Sequence, residues 1–284
     1  MTKIIACIGS GNMGLALMKG AARSMSGDCS VHDYSIGFTD TDQAKATSAA
    51  EAIGASVYAS NSAAVSQGDF VFLAVKPQVL AEVLTEIGPT ISNRISAGSA
   101  PILVSMAAGW SIKRIQTVLA GSGNRVVPGI IRIMPNTPAL VGQGIIALAS
   151  SPEVPESKSA ELKQILAGSG LVDTLEEQYL DAVTALSGSG PAFVYVFIEA
   201  LADGGVRSGL PRDKALRYAV QTLLGATAMV QETGKHPGEL KDMVTSPGGT
   251  TIAGLAALET GAFRGIVMNA VDAAWKRSKE LSSN

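Results

Sequence analysis

Lys3-Ile-Ile-Ala-Cys-Ile8 runs directly into Gly9-Ser-Gly-Asn-Met-Gly14, and Leu15-Ala-Leu-Met-Lys-Gly-Ala-Ala-Arg23 follows. The first run is short and apolar without alternation, the pattern of a strand buried on both faces. The last run has helical character. A strand, a glycine turn and a helix in immediate succession open a βαβ unit. In that context each glycine has its own physical reason: Gly9 makes the tight turn, Gly11 lets the backbone approach a pyrophosphate, and Gly14 lets the helix lie close to the strand. The spacing predicts a dinucleotide-binding turn formed by Ile8, Gly9, Ser10, Gly11, Asn12, Met13 and Gly14, with the positive end of the helix at the phosphates. The alternative is a glycine-rich turn that binds nothing.

Working outward, Ser35–Thr39 reads as a second strand that ends at Asp40-Thr-Asp42. An acid at that end accepts hydrogen bonds from a ribose 2′-hydroxyl, which makes Asp40 the candidate, with Thr39 beside it. The polar segment Ser24–Tyr34 reads as an inserted loop that lengthens the spacing. Asp40 as a solvated turn residue stays open, and no arginine stands nearby to hold a 2′-phosphate. Gln43–Ile53 and Asn61–Gln67 read as helices, with a weak strand at Ala55–Tyr58 between them. Asp69–Val75 reads as a strong buried strand stopped by Lys76-Pro77. Ala74, Val75, Lys76 and Pro77 form a second wall for the dinucleotide, or a strand followed by a proline stop. Val79–Ile87 and Ile112–Leu119 read as helices. Pro101–Ser105, Arg125-Val-Val, Ile130–Met134, Gly144–Ala149 and Gly170–Asp173 read as strands. Strands alternating with helices imply a mostly parallel α/β sheet of Rossmann type.

The strand signal stops near Thr174. Beyond it lie the helical stretches Glu176–Leu186, Pro191–Ser208, Arg212–Glu232, Pro237–Val244 and Thr251–Leu281. The expected organisation is a dinucleotide-binding domain over 1–174 and an all-α domain over 175–284. At 46% hydrophobic, the chain has enough apolar side chain for a core and a subunit interface. Tyr218–Val230 is apolar nearly all round, as buried helices are. An obligate dimer is expected, with a compact monomeric bundle as the alternative. A net charge of −2 offers no basic surface for nucleic acid or an acidic membrane. Cys7 and Cys29 form no metal or redox spacing. No signal peptide is read after Lys3, and Val183–Ile198, interrupted by Ser-Gly-Ser-Gly-Pro, is not expected to span a bilayer. A soluble, cytoplasmic protein is expected.

A second glycine turn lies in Lys241-Asp-Met-Val-Thr-Ser-Pro-Gly-Gly-Thr-Thr-Ile252. Pro247, Gly248 and Gly249 feed an apolar-periodic helix opened by Thr250 and Thr251. Free N–H groups and the helix dipole converge there on an anion site. An ordinary turn with a threonine cap is the alternative.

These pieces together resemble the pyrroline-5-carboxylate reductase family from Lys3 to Leu281. The motifs that carry the resemblance are Gly9–Gly14, Ala74–Pro77, Ala107-Ala-Gly109, Arg132-Ile-Met-Pro-Asn-Thr-Pro138, Leu186-Ser-Gly-Ser-Gly-Pro-Ala192, His236-Pro-Gly238 and Leu240–Thr251. The resemblance implies reduction of 1-pyrroline-5-carboxylate to L-proline by NADPH or NADH, the last step of proline synthesis. It implies a dimer built by the helical domain, with dimers assembled into a larger ring, often a decamer. It places Asn61, Lys76, Ala107 and Ala108 against the cofactor. Ser246, Gly248, Gly249, Thr250 and Thr251 fall at the substrate, with Thr251 hydrogen-bonded to the imine nitrogen. Glu177 matches a position near the substrate amine, and Thr174-Leu-Glu-Glu177 reads equally as a capping box. Ser246 either binds substrate or shapes its turn. The family often favours NADPH and commonly has Ser or Arg near the end of the second strand, whereas Asp40 here leaves room for NADH.

Three rival readings differ in class. A β-hydroxyacid dehydrogenase needs a helical lysine as general acid, and Gly188–Ser208 contains none. An imine reductase for another substrate differs little in sequence. A nucleotide-sensing regulatory module needs no second anion site, so the Ser246–Thr251 turn argues against it.

Overall fold

The computed structural model describes residues 2–25, 34–121 and 127–283. Cys29, His32, Arg125 and Val126 lie outside them, and Val127 is not in a strand. The first half alternates strand and helix: β1 (Lys3–Ile8), α1 (Asn12–Met25), β2 (Tyr34–Thr39), α2 (Gln43–Glu51), β3 (Ser56–Val57), α3 (Asn61–Gln67), β4 (Phe70–Leu73), α4 (Leu80–Ser96), β5 (Ile102–Ser105) and α5 (Ile112–Gly121). Then come β6 (Ile130–Pro135), β7 (Gly144–Ser150), α6 (Glu156–Leu166) and β8 (Gly170–Thr174). They form one sheet in the order β3-β2-β1-β4-β5-β6-β7-β8. Every pairing is parallel except β6 with β7.

Both sheet faces are apolar, and the period of two divides each strand between them. Ile5, Cys7, Phe70 and Phe72 pack with Leu17 and Met18 of α1, Ala46 of α2 and Leu162 of α6. Ala6, Ile8, Val71 and Leu73 pack on the other side with Val65, Leu84 and Ile115 of α3, α4 and α5. Burial on both sides is why these strands read as continuous apolar runs. Helix α6 was not expected from the sequence. Only Leu162, Ile165 and Leu166 of its eleven residues are buried, too narrow a stripe to stand out.

Beyond β8 the chain is helical: α7 (Leu180–Val183), a π-helical turn over Thr184–Gly188, α8 (Gly190–Arg207), α9 (Arg212–Thr233), α10 (Pro237–Met243), α11 (Thr250–Thr260) and α12 (Phe263–Ser283). The single helix expected over Thr251–Leu281 is two, bent by 50°. Ala262 breaks it in the left-handed region at φ 53°. Ser-Gly-Ser-Gly-Pro also fails to interrupt the helical path as expected. The π turn carries it to Pro191 at the first turn of α8, where a missing N–H costs nothing. Glu177–Arg207 is consequently long and apolar enough to cross a membrane by length and composition alone, the one such helix among the described residues.

The chain packs as two compact units, 1–188 with 274–284, and 189–273. The sheet ends at Thr174, while packing carries the first unit to Gly188 and adds the end of α12. Leu180 packs with Met134, Ala147 and Ala149, and polar contacts add to this. Asn136 Nδ2 donates to Ser187 O at 3.0 Å. Ser278 and Ser282 hydroxyls donate to Asp181 Oδ1 at 2.7 and 3.0 Å.

Candidate active site

The glycine turn between β1 and α1 is built around three close approaches. Gly9 has φ 99°, and a Cβ on it would lie 2.7 Å from Ala74 O. A Cβ on Gly14 would lie 2.5 Å from Gly9 O and 3.0 Å from Ala74 Cβ. Only glycine fits at either position. Gly11 is the opposite case: nothing lies within 4 Å of a Cβ there. Its exposed backbone, with Asn12 at the start of a fourteen-residue helix, is open to an incoming anion. This chain's residues therefore fit the pyrophosphate of a dinucleotide. Ile8 is buried and Met13 half-buried beneath the turn. Cys7 is a packing residue: its Sγ contacts Gly9 O at 3.3 Å, and burial pushes the thiol well above its usual range.

Thr39 is buried at the end of β2, and its carbonyl accepts from Gly9 N at 2.8 Å. Asp40 follows. Its Oδ2 accepts from both Ser10 N (2.8 Å) and Ser10 Oγ (2.9 Å), and its Oδ1 accepts from Asp42 N at 3.0 Å. Partial burial opposes the charge, but these hydrogen bonds, with Lys45, outweigh it and hold the carboxyl below the usual range.

Ala74 N donates to Ile8 O at 2.8 Å, which sets Ala74–Pro77 beside the turn. Val75 is half-buried and Lys76 exposed. Pro77 O accepts from Trp110 Nε1 at 3.0 Å, joining this wall to the loop of buried Ala107 and exposed Ala108. The first unit thus brings 8–14, 39–40, 74–77 and 107–110 together at one sheet edge. Asn61 opens α3, and its Nδ2 donates to Glu86 Oε2 at 2.8 Å.

Glu177 Oε1 accepts from Ile112 N at 2.7 Å, at the start of α5, and pairs with Arg132 Nη1 at 3.2 Å. The short turn that Glu177 opens is capped at Glu176 without a side-chain bond, so Thr174 closes no capping box there. Neither this contact nor the Trp110–Pro77 bond has a local sequence signal.

In the second unit, Gly248 has φ 66° and Gly249 is the N-cap of the eleven-residue α11. Gly249 N donates to Ser246 O at 3.1 Å, so the N–H expected to meet an anion is spent inside the turn. The first helical bond runs from Ala253 N to Gly249 O, which leaves Thr250, Thr251 and Ile252 as the positions whose N–H groups head the helix. Ser246 and Thr250 are exposed and Thr251 half-buried. His236 caps α10, its Nδ1 accepting from Gly238 N at 3.1 Å.

A dinucleotide cradle on a mostly parallel sheet, followed by a helical unit, defines an NAD(P)-dependent oxidoreductase. Comparison with known proteins narrows the class. Residues 4–109 match the family described as NADP oxidoreductase coenzyme F420-dependent, and residues 177–281 match pyrroline-5-carboxylate reductase dimerisation. The chain is 46% identical to pyrroline-5-carboxylate reductase of Glycine max over 97% of its length and 94% of that protein's. It is 42% identical to the enzyme of Methanosarcina acetivorans over 98% and 97%. A pyrroline-5-carboxylate reductase structure from Coxiella burnetii matches with a TM-score of 0.87 at 31% identity, covering 99% of both chains. The Plasmodium falciparum pyrroline carboxylate reductase with NADP bound matches at 0.82 and 31%, covering 99% and 98%. The chain belongs to the pyrroline-5-carboxylate reductase family.

Proposed function

We propose that this chain reduces 1-pyrroline-5-carboxylate to L-proline with NAD(P)H, using the two glycine turns for the two ligands. The carrying observation is the second turn: Gly248 is left-handed and Gly249 caps α11 with no side-chain bond at the cap. The N–H groups of Thr250, Thr251 and Ile252, with the helix dipole, take the substrate carboxylate. Gly248 and Gly249 give that carboxylate room, and Ser246 Oγ lines the same turn. Thr251 Oγ hydrogen-bonds the ring nitrogen, orienting the imine and stabilising the amine that forms. The bound coenzyme supplies a hydride from nicotinamide C4. The imine carbon accepts it, and the nitrogen, protonated in solution, becomes a secondary amine, so the chain need supply no strong general acid. Its main contribution is fixing both reactants in place. Asn61 is taken to contact the coenzyme and Glu177 to stand near the substrate nitrogen, beside the bonds they make to Glu86 and to Ile112 and Arg132.

The same reading takes the chain as a soluble cytoplasmic enzyme and a homodimer, with dimers assembled into a ring. Support for the dimer comes from a groove of about 470 Å³ between α8 and α12, lined by Phe193, Val196, Phe197, Phe263, Ile266 and Val267. The test is coenzyme oxidation on addition of 1-pyrroline-5-carboxylate, with proline formed one for one. Tight coenzyme binding without turnover overturns the reading in favour of a nucleotide sensor.

A further inference from the structure

We infer that this chain takes NADH in preference to NADPH, and that the Asp40 carboxylate is the group that decides it. This rests on the dinucleotide reading of the glycine turn. Residues β1 and β2 pair in register, Ile8 opposite Thr39, so the residue after Thr39 emerges beside Ser10 at the sheet's carboxyl edge. With the pyrophosphate on Gly9–Gly14, the ribose of the adenosine half lies at this end of β2. Ser10 N, Ser10 Oγ and Asp42 N all donate to Asp40 and hold its carboxylate in one orientation. Each oxygen of a carboxylate has more than one acceptor site. A ribose 2′-hydroxyl can donate to it.

A 2′-phosphate offers only acceptors and brings a charge of about −1.5 to −2. Among the described residues from Tyr34 to Ser60 stand Asp40, Asp42 and Glu51, a single lysine and no arginine. That lysine, Lys45, is paired with Asp42 at 3.4 Å. The fold itself does not impose this preference, since the Plasmodium falciparum relative holds NADP. The discrimination belongs to the residues of this chain.

The test is titration of the purified protein with NADH and with NADPH, without imine, following coenzyme fluorescence, together with kcat/KM for each. NADH is expected to bind at least about tenfold more tightly, the scale of one close charge pair in a partly wet site. Asp40→Asn keeps the shape and an acceptor for Ser10 but loses the charge. It is expected to raise NADPH affinity about tenfold while changing NADH affinity much less. Wild-type protein that binds NADPH as tightly as NADH overturns the inference. So does a folded Asp40→Asn protein with an unchanged ratio, which makes Asp40 a strut of the turn only. If neither coenzyme is oxidised by the imine, the functional reading fails while the binding ratio still judges Asp40.

Discussion

Thr251 is the second residue of α11, half-buried, with its backbone N–H among those that head the helix. Its hydroxyl matters to the account only as charge on the ring nitrogen changes, so removing it should act on the chemical step. Thr251→Ala is expected to lower kcat by about 10²–10³ with the coenzyme Kd unchanged, the scale of one transition-state donor. Steady-state kinetics with parallel binding titrations check this, and an unchanged kcat and KM for the imine removes Thr251 from the mechanism. Asp40 carries a second prediction at this scale. Its carboxyl is held low by Ser10 and Asp42 against the opposing effect of burial, so its folded pKa lies below the unfolded value. Such a group contributes its stability in full above the unfolded pKa, near 4, and loses it as pH falls through the lower folded pKa. The stability difference between wild type and Asp40→Asn should therefore close as acid is added below about pH 4. A difference that stays constant down to complete unfolding shows that the charge contributes nothing to the turn.

At the scale of elements, α5 is tied to the segment after β8 by one carboxylate. Glu177 accepts from Ile112 N and neutralises Arg132, which is buried on β6. Glu177→Ala leaves a buried guanidinium without its charge partner and is expected to cost about 2 kcal/mol in urea denaturation, with Glu177→Gln costing less because an acceptor remains. If instead Glu177→Gln keeps full stability but loses kcat, the carboxylate acts at the substrate. This contact shows where sequence reading stops. The strands β1, β4 and β6 were legible because burial on both faces writes an unbroken apolar run. Gly9–Gly14 was legible because its glycines answer to contacts within one βαβ unit. Glu177 meets a helix sixty-five residues upstream, and Trp110 meets Pro77 across thirty-three, so neither bond leaves a local pattern. The same holds for the bonds of Asn136 to Ser187 and of Asp181 to the serines of α12. Helix α6 was lost to its own polarity, and the bend at Ala262 to a residue that ordinarily favours helix.

Across the whole molecule, the helical unit leaves apolar residues in water that a folded single chain ordinarily covers. Val196 is 66% exposed and Ile266 61%, both in the groove of α8 and α12. The family's dimerisation domain spans 177–281, so a second copy is the expected cover. Val196→Asp with Ile266→Lys should give a smaller species in sedimentation equilibrium, a lower Tm and little turnover; an unchanged mass locates the interface elsewhere. The residues most visible from sequence lie in two glycine turns, the first beside Asp40 and the second at the head of α11. We propose that the two turns serve one hydride transfer. A crystal structure of the enzyme with oxidised coenzyme and L-proline tests that most directly. We expect the proline carboxylate on the N–H groups of Thr250, Thr251 and Ile252, its nitrogen on Thr251 Oγ, and its ring against nicotinamide C4. A proline carboxylate bound elsewhere, with the Ser246–Thr251 turn facing bulk water, contradicts the account.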